Sequence, residues 1–166
     1  CDMFEIGDYV LNATNGICKI SEVVELDMSG DKQLKSYFLL RPVEEKNDRV
    51  YIPVDNADKR IRKVITQDEA LAVLDRVPEI EALAVNNEKE RETRYKEAVR
   101  SCEPDSVISL LKCLHIRNEQ RAQAGKKSTA VDERYGKMAE HNLNAELAFV
   151  LEKDKQEIKD IIHDML

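Results

Sequence analysis

Few residues in this chain are of the types that catalyse reactions or bind metal ions. No two of the three histidines are four positions apart, the spacing that would place two ligands on one helix face, and they are His115, His141 and His163. The five glycines are scattered, so a glycine-rich phosphate loop is excluded, and neither GxSxG nor HExxH occurs. We therefore expect no catalytic residue, no metal site, no cofactor and no small-molecule substrate, and we predict that the protein is not an enzyme.

The cysteines indicate structural rather than reactive thiols. They form no CxxC pair, and they are Cys1, Cys18, Cys102 and Cys113. In a chain without an export signal, reduced thiols are expected rather than disulfides or a zinc site. Cys18 and Cys113 lie in apolar patterns, so we expect them to be buried and inert.

Charge is distributed unevenly along the chain. The whole sequence has a net charge of -7, but residues 89–137 contain 12 Lys or Arg against 8 Asp or Glu. A locally positive stripe on an acidic body is suited to touching DNA phosphates at one place while being repelled elsewhere. Pairs such as Glu90 with Arg94 and Glu92 with Lys96 also fit an ordinary solvated helix face, and this alternative stays open.

Length and composition predict a cytoplasmic protein of one or two small domains. The 166 residues are 42% hydrophobic and 36% charged, and the apolar runs are far shorter than a membrane span requires. The composition changes near residue 65, which predicts a boundary between residues 1–64 and 65–166. We therefore expect no contact with a membrane.

The first 64 residues have the pattern of short strands. Four runs rich in β-branched and aromatic residues are separated by turn formers, and they are GDYVLNA, GICKISEVVEL, SYFLLRPV and RVYIPV. Four or five antiparallel strands of this size predict a small Tudor-like or SH3-like barrel. Such a domain leaves a strand edge that can accept another protein's strand, although the charges of Lys46, Asp48 and Arg49 equally fit protection of that edge from aggregation.

Residues 65–166 have the pattern of helices, so the chain is predicted to be an α+β protein with a bundle of about five helices. Thr66 and Glu69 form a possible capping box, and Pro104 and Thr129 mark later helix starts. The second helix is predicted through NNEKERETRYKEAV, with a weak apolar face that includes Leu83 and Val85. Clear apolar stripes in the other helices include Val107, Leu110, Leu111 and Leu114, then Ala139, Leu143, Leu147 and Val150, and finally Ile158, Ile161, Ile162 and Met165.

Several stretches together resemble the CarD/CdnL family of bacterial transcription regulators over essentially the whole chain. The order and spacing of the stretches carry the resemblance, and they are MFEIGDYVLNATNGICKI, YFLLRP, VYIPVDNADKRIRKVIT, ERETRYKEAV, VISLLKCLHIRNEQR and MAEHNLNAELA. The resemblance implies a Tudor-like domain shared with the transcription-repair coupling factor. That domain would bind the RNA polymerase β subunit, and the helical domain would contact promoter DNA and stabilise the open complex.

The resemblance also implies particular contact residues and a nucleoid association through the polymerase. The DNA-contacting positions map onto Arg94, Lys96 and Arg134, and Arg91 stands where many members carry a Trp that wedges against the DNA. An Arg can bind a phosphate but cannot supply an apolar wedge. On the polymerase-facing side, the expected contacts are Leu26, Arg49 and Tyr51, with Leu26 and Tyr51 standing where some relatives have arginines.

Two other functions remain open on the sequence alone. One is a protein-only adaptor that links RNA polymerase to another protein without DNA contact, because residues 65–166 hold 16 basic and 21 acidic residues. The other is an RNA-binding barrel, which the strands disfavour because they lack interleaved basic and aromatic residues.

Overall fold

The computed structural model describes residues 3–166, so Cys1, expected to be a reduced thiol, lies outside the described residues. The chain divides into two compact units, Cys1–Val64 and Ile65–Leu166. The first unit is a β-sheet and the second is helical, which confirms the predicted α+β class. Within the described residues, no helix combines the length and the apolar character that crossing a membrane requires.

The first unit is one antiparallel sheet of five strands in the order β4-β3-β2-β1-β5. The strands are β1 Tyr9–Asn12, β2 Gly16–Leu26, β3 Lys35–Pro42, β4 Val50–Pro53 and β5 Ile61–Lys63. The sheet is open, with β4 and β5 as its edge strands, so the strand pairing does not confirm the predicted Tudor-like or SH3-like barrel.

Local side-chain chemistry sets the β1–β2 turn. The Asn12 side-chain oxygen accepts hydrogen bonds from the backbone N–H groups of Thr14 (3.1 Å) and Asn15 (3.0 Å). Gly16 then adopts a φ of 72°, a conformation that a side chain would disfavour. The turn fixes the register, which pairs Val10 with Cys18.

One face of the sheet carries the core of the first unit. Its buried residues are Val10, Cys18, Ile20, Phe38, Leu40, Ile52, Ala57 and Ile61. Phe4 packs its ring edge-on against Phe38 at a centroid distance of 6.1 Å. Cys18 is buried as predicted, and burial raises the pKa of its thiol to about 11, so it stays protonated and unreactive near neutral pH.

The second unit contains five helices, as predicted. They are α1 Gln67–Arg76, α2 Arg91–Ser101, α3 Pro104–Gln123, α4 Ala130–Leu151 and α5 Lys155–Met165. The predicted capping box of α1 is present, with Thr66 and Glu69 exchanging side-chain to backbone hydrogen bonds. Thr129 caps α4 by accepting a hydrogen bond from the Asp132 backbone N–H at 3.1 Å.

The predicted start of the second helix is wrong. The segment before Arg91 is not α-helical and ends in a 3₁₀ turn at Glu88–Glu90. Its backbone is instead tied to α3: Ser109 accepts a bond from the Leu83 N–H at 2.9 Å and donates its hydroxyl to the Glu81 carbonyl at 2.8 Å. These bonds explain why Leu83 contributes to the core without belonging to a helix.

The helical core is continuous, and we expect its stability to depend on α3. Leu110 is fully buried, whereas Leu71 on α1 is more than half exposed. Leu110→Ala should therefore lower the free energy of unfolding of the second unit by about 2–5 kcal/mol. The matched Leu71→Ala control should change it by about 0.5 kcal/mol or less. Chemical denaturation followed by helical circular dichroism measures both, and equal effects would contradict this packing.

Candidate functional site

Leu26 and Tyr51 lie on the same face of the sheet. Leu26 pairs with Lys35 and Tyr51 pairs with Leu39. Because successive side chains of β3 alternate between the two faces, both partners lie on the face opposite to Phe38. The two positions are four residues apart in register, which is about 13 Å along the strand direction. They therefore mark two ends of one surface, not a single contact point.

The backbone of β4 is available for strand addition on its outer side. Val54 donates its N–H to the Ser36 carbonyl at 3.0 Å, so these two residues form a hydrogen-bonded pair, and such pairs recur at every second residue of an antiparallel ladder. Tyr51 is three residues from Val54 and therefore belongs to a non-hydrogen-bonded pair. Its backbone N–H and C=O point away from β3, to the sheet edge. Arg49 is exposed immediately before β4, at the same edge.

The basic residues of α2 do not share one face. The buried face is set by Tyr95, Ala98 and Val99. At 100° per residue, Arg91 lies within that face, and Arg94 and Lys96 lie on its opposite flanks. The candidate DNA-contacting residues of this helix therefore project in different directions.

Arg91 belongs to a polar cluster with Glu88, Tyr95, Arg117 and Asp132, which we call the Arg91 cluster. Its guanidinium donates to the Glu88 carboxylate at 2.6 to 3.1 Å and to the Tyr95 hydroxyl at 2.8 Å. Tyr95 donates in turn to Asp132 at 3.0 Å. Arg117 donates to Asp132 at 2.6 Å and lies 3.5 Å from Glu88. The cluster connects α2, α3 and the first turn of α4.

Burial and charge pairing control the electrostatics of this cluster. The Asp132 side chain is 1% exposed and the Arg91 side chain is 15% exposed, whereas Glu88 is 71% exposed. Burial raises the pKa of Tyr95 to about 12, and its hydrogen bond to Asp132 acts in the same direction. The bond to Arg91 lowers the pKa of the Glu88 carboxyl. The cluster thus holds a neutral tyrosine between two arginines and two carboxylates.

Arg134 and Lys96 form a second, exposed basic site. Arg134 donates to Glu92 on α2 at 2.6 Å, and its guanidinium stacks over the Tyr135 ring at 4.9 Å. Lys96 is exposed one helical turn after Glu92. Both cations can reach a phosphate in solution, although Glu92 partly neutralises Arg134.

Arg94 lines a separate groove of the second unit. The groove has a volume of about 400 Å³ and is lined by Ile80, Leu83, Arg94, Glu97, Ala98, Asp105, Ser106 and Ser109. The Arg94 Nε is buried and has no hydrogen-bond partner among residues 3–166. The carboxylates in the same groove make it less suited to an anion than the exposed site.

Glu88, Arg117 and Asp132 are members of the Arg91 cluster that no sequence motif marks. Arg117 lies three residues after Leu114, on the apolar stripe of α3. A charged residue on an otherwise apolar stripe is the one feature of the sequence that indicates a buried ion pair here. Asp132 lies three residues after Thr129, where an acidic residue is common in the first turn of a helix. Its role as a shared acceptor depends on α2 and α3 and has no local sequence signature.

The remaining candidate groups are paired on the surface. His115 lies 3.3 Å from Glu119, and His163 lies 2.9 Å from Glu140. Among residues 3–166, no three His, Cys, Asp or Glu side chains are arranged to hold a metal ion. Cys113, which was expected to be buried, is only half-buried beside the Arg91 cluster, and this partial burial raises the pKa of its thiol.

The protein thus has two candidate binding surfaces for macromolecules, the open edge of the sheet and the basic sites on the helices. Residues 4–65 match the family model of the CarD-like/TRCF RID domain. The first unit is therefore similar to the CarD-like/TRCF RID domain, and this match is consistent with the CarD-like resemblance of the sequence. No curated protein matches the chain.

We expect the Arg91 cluster to depend on Asp132. Asp132→Ala would leave Arg117 and the buried Tyr95 hydroxyl without their shared acceptor, and should lower the free energy of unfolding by about 3–5 kcal/mol. Glu133→Ala removes an exposed carboxylate from the same helical turn and should cost about 0.5 kcal/mol or less. Thermal and denaturant unfolding of the full chain distinguish the two, and an Asp132→Ala protein as stable as the control would contradict the cluster.

Proposed function

We propose that the protein is a non-enzymatic regulator of bacterial transcription that binds the RNA polymerase β subunit and contacts promoter DNA to modulate open-complex stability. The match of residues 4–65 to the CarD-like/TRCF RID domain carries this proposal. In this view residues 1–64 are the Tudor-like polymerase-binding domain, and residues 65–166 are the DNA-contacting domain. The protein acts in the cytoplasm, at the nucleoid, where the polymerase holds it.

The edge strand β4 supports docking by strand addition. Its outer backbone groups at Tyr51 can pair with a strand of the β subunit, and the exposed Arg49 lies beside them. Leu26 extends the same sheet face towards the β2–β3 turn. A short edge with one apolar face and an adjacent cation offers both backbone bonding and side-chain selectivity.

The exposed basic site supports a local contact with DNA. Lys96 and Arg134 are accessible, Arg94 lies on the other flank of α2, and Arg91 is held in its cluster. A net charge of -7 opposes binding to free duplex DNA. Tethering to the polymerase raises the local concentration to roughly the millimolar range, where a few phosphate contacts are sufficient.

The protein-only adaptor remains the second candidate. It is favoured by the pairing of basic residues with carboxylates, as in Arg91 with Glu88 and Arg134 with Glu92. The mixed apolar and charged groove around Arg94 also suits a peptide better than a phosphate backbone. The salt dependence of binding to a forked promoter distinguishes the two functions, because only phosphate contacts give a steep slope.

We expect the β4 edge to contribute to β-subunit binding through its backbone. Tyr51→Pro removes the outward N–H without removing a hydrogen bond to β3, whereas Tyr51→Ala removes only the side chain. One lost hydrogen bond of about 1.4 kcal/mol should weaken binding of Tyr51→Pro about tenfold more than that of Tyr51→Ala. Binding to immobilised cognate β subunit measures the difference, with unfolding of the sheet unit as the control for folding. Equal affinities of the two variants would show that the edge backbone is not used.

We expect the exposed basic site to affect the lifetime of the open complex. Lys96→Ala with Arg134→Ala should shorten that lifetime on a native promoter and lower the salt slope by about one unit for each residue. Lys153→Ala with Lys159→Ala removes the same charge at and just before α5 and serves as the control. β-subunit capture should be unchanged in both. If the two double variants behave alike at low salt, the adaptor function becomes the better proposal.

A further inference from the structure

Two arginines converge on one exposed carboxylate at the edge of the Arg91 cluster. The Arg91 guanidinium lies 2.6 Å from a Glu88 oxygen, and the Arg117 guanidinium lies 3.5 Å from the same oxygen. The arginine side chains are 15% and 22% exposed, whereas Glu88 is 71% exposed. The cations are therefore fixed by their surroundings, and the anion between them is the solvent-facing member.

The two arginines keep other partners if Glu88 moves away. Arg117 remains bonded to Asp132 at 2.6 Å, and Arg91 remains bonded to the Tyr95 hydroxyl at 2.8 Å. Glu88 belongs to a three-residue 3₁₀ turn that follows a non-helical segment. Because Glu88 is exposed, solvent screens its ion pairs, so an incoming anion can replace this carboxylate at little cost.

A cleft adjoins the same two guanidinium groups. It has a volume of about 210 Å³ and is open to solvent, and its walls include Leu83, Val85, Arg91, Cys113, Ile116 and Arg117. The site thus combines two preorganised guanidinium groups with an apolar wall beside them. A group with two acceptor oxygens and an adjoining uncharged part matches this combination.

We propose that Arg91 and Arg117 form a phosphate-binding site that Glu88 occupies in the free chain and that a nucleic-acid phosphodiester takes over by displacing Glu88. This inference rests on the proposed contact with promoter DNA and adds both a residue, Arg117, and a competitor, Glu88. Without Glu88, the charges of Arg91, Arg117 and Asp132 add to +1. A phosphodiester, which carries one negative charge, balances this site, whereas a free phosphate dianion leaves an excess negative charge.

The charge of Glu88 provides the test. Binding of a fluorescent single-stranded oligonucleotide to the full chain is measured by anisotropy at several low salt concentrations, for wild type, Glu88→Gln, Glu88→Ala and Glu90→Ala. Glu90→Ala changes the net charge by the same amount in the same 3₁₀ turn, but Glu90 has no bond to either arginine among the side-chain hydrogen bonds described for residues 3–166. Both Glu88 variants should bind at least about threefold more tightly than Glu90→Ala, with a salt slope steeper by about one unit.

A second pair of measurements separates the site from net charge and from free phosphate. Adding Arg91→Ala to Glu88→Ala should remove the gain in affinity, and millimolar inorganic phosphate should compete poorly against the oligonucleotide. If Glu88→Gln, Glu88→Ala and Glu90→Ala bind equally, or if the gain survives Arg91→Ala, the proposal is overturned. If phosphate competes fully, the site does not select a diester over the free ion, and the proposal is likewise overturned.

Failure of the Arg91–Arg117 site can be distinguished from failure of the proposed function. Open-complex lifetimes that respond to Lys96 and Arg134 but not to Glu88 would leave DNA contact intact and remove this site. Thermal unfolding of each variant accompanies the binding measurements, and Glu88→Gln preserves the size of the side chain if Glu88→Ala loses stability.

Discussion

The buried carboxylate of Asp132 is the interaction on which the arrangement of the helical unit depends. A charge that is 1% exposed is tolerated only with full compensation, here from the Tyr95 hydroxyl and the Arg117 guanidinium. Asp132 also lies in the capped first turn of α4, where the helix dipole favours a negative charge. Satisfying this one group requires α2, α3 and α4 to meet in a single arrangement.

The positive stripe of residues 89–137 is partly neutralised in the folded protein. Several of its cations are held by carboxylates in space, such as Arg117 by Asp132, Arg91 by Glu88 and Arg134 by Glu92. The surface is therefore less basic than the count of residues indicates. Under the proposed function, a DNA phosphate that binds at these paired cations would displace a carboxylate.

The sheet unit combines two properties that usually conflict. An exposed strand edge promotes aggregation, yet a binding partner needs the same unpaired backbone groups. Here the edge strand β4 has only four residues, and charged residues precede it, including Lys46, Asp48 and Arg49. These features limit self-association while they leave the Tyr51 backbone available to a partner.

Local patterns in the sequence determined most of the secondary structure. The strands β1 to β4 and the helices with clear apolar stripes follow from side-chain periodicity, and Thr66 and Thr129 act as caps through bonds within three residues. The residues of α2 gave a weaker pattern. The segment before Arg91 is tied to Ser109 of α3, which accepts from the Leu83 N–H and donates its hydroxyl to the Glu81 carbonyl, and no local pattern encodes these bonds.

Tertiary structure alone decided the open sheet and the surroundings of each arginine. The three residues of β5 are too few for a strand pattern, and they join the sheet through pairing with β1. Arg91, Arg94 and Lys96 look equivalent as sequence, because each is a cation on one short helix. Their different environments arise because the burial of Tyr95 fixes the rotation of α2. Tyr95 is held by its hydrogen bond to Asp132, which lies 37 positions away in the sequence.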